Sequence, residues 1–112
     1  MKREYKLYLN DILTSITKIE RYTCDVTFVK FTETDMIIDA VLNNLLIIGE
    51  ASSQIPPEIK TQHAHIPWRE ITDFRNVGIH KYHSVNVKIV WSIIQEHLPI
   101  LKTQIREIVA LL

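Results

Sequence analysis

At 112 residues with 46% hydrophobic content, the chain can bury one core and is too short for several, so residues 1–112 are expected to form a single domain. Only 2 glycines and 4 prolines are present and no polar low-complexity tract occurs, which excludes disorder and a many-turned β fold in favour of helices. The 13 basic and 13 acidic side chains cancel, which excludes a protein that coats nucleic acid by bulk charge.

Met1-Lys2-Arg3-Glu4-Tyr5-Lys6 leads into no unbroken apolar stretch of the kind a secretory leader carries, and no apolar run approaches membrane-spanning length. A cytoplasmic location is expected. From Tyr5 to Tyr22 apolar residues recur as Tyr8/Leu9, Ile12/Leu13, Ile16 and Ile19, which is the spacing of a helix with one buried stripe. The β-branched residues of Thr23-Cys24-Asp25-Val26-Thr27-Phe28 predict a break. Cys24 is the sole cysteine, so an intrachain disulfide is impossible and a reducing compartment is the natural reading.

Thr32-Glu33-Thr34-Asp35 has the form of a helix start, a capping hydroxyl followed three places on by a carboxylate. The helix expected from Glu33 to Ser52 is apolar around most of its circumference, which places it in the middle of a bundle or at a subunit interface. Its polar residues Asp39, Asn43, Asn44 and Glu50 then need solvent or partners. Pro56-Pro57 ends that helix, and a short helical turn is expected from Glu58 to Gln62. Pro67 suits the first turn of a further helix, predicted from Pro67 to about Tyr82 with Trp68, Ile71, Phe74 and Val77 inward. Asn86 is positioned to cap a final helical region. There Val87, Val90/Trp91, Ile94, Leu98, Leu101, Ile105, Ile108 and Leu112 keep one helical phase through Pro99. A proline should break or kink that region, so two consecutive segments on one core are expected.

The chemistry gathers in Arg75-Asn76-Val77-Gly78-Ile79-His80-Lys81-Tyr82. Arginine offers a permanent cationic fork that matches phosphate, and histidine exchanges a proton near neutral pH. Between Lys60 and Lys88 five basic residues stand against Glu70 and Asp73, a local balance of +3 that leaves −3 elsewhere. On an ideal helix Arg75 and Tyr82 lie on nearly the same side, while His80 lies about 140° round from Arg75. Asn76 and His80, four apart, share a face, and His83 continues it. A straight helix thus cannot aim Arg75 and His80 at one atom. Either the helix distorts near Gly78, the long arginine curls round, or two chains each contribute to a shared cleft.

With its R-x(4)-H-x-Y pattern, the chain resembles the HepT-like toxin family of the HEPN superfamily. The likeness extends to Asp39 through Ala51, to Ile66-Pro67-Trp68, and to Val90-Trp91 followed by Leu98-Pro99-Ile100-Leu101. The resemblance implies a compact all-α antiparallel bundle of about five helices and a ribonuclease toxin acting as a homodimer. It also implies a partner, a minimal nucleotidyltransferase antitoxin. Cleavage would need no metal or other cofactor, with the ribose 2′-OH attacking the adjacent phosphate. Arg75 and His80 would be catalytic, Asn76 would orient the histidine or the phosphate, and Tyr82 would accept AMP from the transferase and so silence the toxin. His83, Asn86, Gly78 and Asn43 depart from the family's commoner residues.

Two rivals remain. His63, His65, His80 and His83 are close in sequence, yet their spacing matches no strong zinc signature. The other is a non-catalytic helical partner of a nucleotidyltransferase, whose motif serves only for binding or modification.

Overall fold

The computed structural model describes residues 2–79 and 86–112, and every element among them is helical, as the composition requires. Helix α1 (Lys2–Tyr22) buries Tyr5, Leu9, Ile12, Ile16 and Ile19, the stripe its periodicity predicts. It ends where the Thr23 hydroxyl donates to the Ile19 carbonyl at 2.8 Å and Asp25 takes a left-handed φ of 59°, a conformation aspartate tolerates better than most residues.

The expected break then becomes a short helix, α2 (Phe28–Glu33). Thr27 is its cap: the hydroxyl accepts from the Lys30 N–H at 3.1 Å. Phe31 is fully buried and meets Trp91 with ring centroids 5.1 Å apart. The predicted start at Thr32 is overturned by this. With the preceding turn already helical, Thr32 lies inside α2 and donates to the Val29 carbonyl, while Thr34 flanks the next helix, donates to the Lys30 carbonyl and makes no side-chain capping bond, both donated bonds being 2.7 Å.

Helix α3 (Asp35–Ser53) packs on α1 and on α5 (Trp68–Ile79), with Val41, Leu42, Leu45 and Ile48 in the core. Contrary to the expectation from unbroken runs, α3 is long and apolar enough by length and composition to cross a membrane; its buried residues here face other helices. A second stripe of α3 is uncovered and carries Met36, Asp39, Asn43, Ile47 and Glu50. The double proline leads into α4 (Pro57–Gln62), after which the Trp68 indole N–H donates to the His63 carbonyl at 3.1 Å and fixes the start of α5. Trp68, Ile71 and Phe74 are buried as predicted, and Val77 is half-buried.

Asn86 caps α6 (Val87–Ser92), its side-chain oxygen accepting from the N–H groups of Lys88 and Ile89. Pro99 does not break the helix that follows. Residues Ile93–His97 form a π-helical turn in which the Leu98 N–H reaches the Ile93 carbonyl five residues back, and α7 (Leu98–Ala110) continues directly. Proline has no N–H to give its i−4 carbonyl and its ring crowds that carbonyl, so a wider turn just before it relieves both demands. Ile93, Ile94, Leu98, Leu101, Ile105 and Ile108 therefore remain on the core side, while Leu112 is exposed. The Lys102 ammonium ties α7 to Glu20 of α1 at 2.7 Å.

Candidate active site

Arg75 stands where α5 crosses α3, and at Gly49 the crossing leaves no room for a side chain. A Cβ placed on Gly49 would fall 2.6 Å from the Arg75 backbone nitrogen, 2.8 Å from its Cβ and 2.8 Å from the Thr72 carbonyl oxygen. Glycine is thus required at position 49, because any side chain would hold the helices apart. One turn further along the same seam, Ser52, fully buried, exchanges a hydrogen bond with the Thr72 hydroxyl at 3.1 Å. The backbone of Arg75 is consequently fixed against α3 by the contact at Arg75 itself and by those one turn earlier at Thr72.

The guanidinium leaves this crossing along the outer flank of α3. There its Nη1–H donates to Glu50 Oε1 at 3.4 Å, with 39% of the arginine side chain and 57% of the glutamate side chain accessible. The contact is long and single, so the remaining donors of the guanidinium are open to a second anion. Asn76 is exposed on the adjoining face of α5. The helix remains α-helical through Gly78 to Ile79, without a break at the glycine. His80, Tyr82 and His83 lie outside the described residues. Among the described residues, no group of three or more His, Cys, Asp or Glu is arranged to hold a metal; the His63 and His65 rings meet edge to face at 6.2 Å.

Lys60 and Arg69 line a shallow surface with Ile66, Pro67 and Trp68, and partial burial pulls the Lys60 ammonium below the usual lysine range. Asn44, one of the polar residues of α3 that needed a partner, is buried: its amide N–H donates to the Ala40 carbonyl at 2.9 Å, and its oxygen has no partner among the described residues.

The sequence marks Glu50 as a polar residue needing solvent or a partner and Arg75 as the phosphate-binding candidate, and nothing in their spacing joins the two. Gly49 is the crossing point, a role the sequence does not distinguish from that of Gly78. The available signal is a glycine between Ile48 and Glu50, followed by Ala51 and Ser52, on a helix otherwise rich in Leu and Ile.

The HepT-like family model, described as ribonuclease HepT-like, matches residues 12–108. A protein of Thermococcus cleftensis named probable ribonuclease HepT is 42% identical over 102 residues, covering 91% of this chain and 93% of its own. A Methanocaldococcus jannaschii protein named gamma-glutamylcyclotransferase and putative RNase is 39% identical over 96% of this chain, which spans only 49% of that longer protein. A second protein of that organism, named putative RNase, is 37% identical over 93% of this chain and 95% of its own length. No solved structure matches the chain.

Proposed function

The chain belongs to the HepT-like ribonuclease family, and from that premise we propose that it is a metal-independent endoribonuclease acting through Arg75 and His80, the toxin of a pair whose antitoxin is a minimal nucleotidyltransferase. The observation that carries the reading is Arg75 itself: a guanidinium whose backbone is locked at the α3–α5 crossing while part of its fork remains accessible.

In this mechanism a ribose 2′-oxygen attacks the adjacent phosphorus as the P–O5′ bond breaks. His80 takes the 2′ proton as base, or delivers a proton to the departing 5′ oxygen as acid, since an imidazole exchanges a proton near neutral pH. Arg75 neutralises charge that builds on the non-bridging oxygens, and Asn76, exposed one residue on, orients the imidazole or the phosphate. The products are a 2′,3′-cyclic phosphate and a 5′-hydroxyl, so DNA is not a substrate.

A second copy completes the cleft. The uncovered stripe of α3, with Met36 80% and Ile47 37% exposed, offers a two-fold contact that runs towards Glu50 and Arg75. Tyr82 serves regulation: its phenolic oxygen attacks the α-phosphorus of ATP on the partner transferase, pyrophosphate leaves, and the attached AMP fills the phosphate site with a bulky anion.

Cleavage of RNA by purified wild type, Arg75→Ala and His80→Ala tests the proposal. Both variants should lose activity while folding normally; a wild type that cuts no better than they do refutes the enzyme and favours the non-catalytic partner. Incubation with the transferase and ATP should add the mass of AMP to wild type and not to Tyr82→Phe.

A further inference from the structure

We propose that Glu50 is the positioning residue of Arg75: its carboxylate holds the guanidinium on the flank of α3 until a phosphate of the substrate takes over. This rests on the reading of Arg75 as the phosphate-binding group of the ribonuclease.

The packing around Gly49 fixes only the root of the Arg75 side chain. Beyond Cβ lies a long, flexible stem whose tip loses its aim unless something holds it. Glu50, adjacent in sequence to Gly49, is the acidic group that meets it, at 3.4 Å. Two features mark the contact as serving function more than folding. The arginine side chain is 39% and the glutamate side chain 57% accessible, and solvent-facing pairs of this kind add little to stability. The contact engages a single oxygen at the long end of the hydrogen-bond range, so most of the fork remains unspent. A carboxylate in that place has two opposite effects on a ribonuclease. It orients the cation for the transition state, and it sets a negative charge beside the site where RNA phosphate must bind.

Removing the charge therefore separates rate from affinity. In Glu50→Gln, kcat should fall about tenfold through lost aim. Affinity for an uncleavable 2′-O-methyl RNA should meanwhile tighten about two- to fivefold through lost repulsion. The thermal midpoint and the mass in solution should match wild type. Glu50→Asp, which keeps the charge and shortens the reach, should retain wild-type affinity with an intermediate kcat.

An unchanged kcat in Glu50→Gln, with Arg75→Ala inactive, overturns the role of Glu50 alone. So does a loss of kcat accompanied by weaker binding, a lower thermal midpoint or a smaller mass, since these mark a structural or interface residue. A wild type that cleaves no better than Arg75→Ala sinks the ribonuclease reading itself, and the proposal with it.

Discussion

Gly49 and Arg75 touch through their backbones: a methyl group on Gly49 would stand 2.6 Å from the Arg75 nitrogen. The position of the phosphate-binding candidate is thus set by the absence of a side chain on the neighbouring helix. Gly49→Ala should destabilise the fold by about 1–3 kcal/mol, since the overpacking outweighs the gain in helix propensity. Urea denaturation measures it, and cleavage by the folded fraction should fall as well because Arg75 is displaced. A variant as stable and active as wild type would contradict the tight crossing.

Ile16 is fully buried on α1, outside the α3–α5 crossing. Ile16→Ala should cost about 2–5 kcal/mol by leaving a cavity. Its cleavage rate per folded molecule, measured well below the unfolding midpoint, should stay at the wild-type level, in contrast to Gly49→Ala.

Asn44 hides an oxygen that has no partner among the described residues. Asn44→Leu, of similar size, should remove that desolvation cost and raise stability by about 1 kcal/mol. A fall of similar size, read from the urea midpoint, would mean that the oxygen is satisfied.

Pro99 follows the π-helical turn Ile93–His97. Restoring the missing N–H with Pro99→Ala should be neutral or stabilising by about 1 kcal/mol, with helical circular dichroism unchanged or higher. A loss of helicity would show that the proline holds the turn in place by some other means.

The residues that disclosed the fold were those whose pattern is carried by spacing alone. Leu9, Ile12, Ile16 and Ile19, and likewise Leu98, Leu101, Ile105 and Ile108, sit inward because helical periodicity admits no other face. Asn86 was legible as a cap because a polar side chain before an apolar run has that local use. What escaped notice depends on neighbours distant in sequence or on backbone choice. The β-branched run ending at Thr27 reads as a break until its hydroxyl is seen capping α2. Apolar phase through Pro99 reveals a shared core, and says nothing of a π turn that absorbs the proline. At the site, the resemblance found Arg75, whereas its contact with Glu50 spans 25 positions and required the crossing at Gly49.

Arg75→Lys should behave as a poor substitute, lowering kcat by more than tenfold, because an ammonium cannot present the planar fork that matches phosphate. Steady-state cleavage kinetics decide this. Wild-type rates from the lysine variant would reduce the role of Arg75 to charge alone.

The central claim, that this chain cuts RNA without a metal through the ribose 2′-oxygen, is tested most directly by the ends it leaves. Purified protein should be incubated with an RNA oligonucleotide in excess chelator and the fragments weighed. Wild type should leave 2′,3′-cyclic phosphate and 5′-hydroxyl termini, and His80→Ala should leave the RNA intact. Cleavage abolished by chelator, or persisting unchanged in His80→Ala, would contradict the claim.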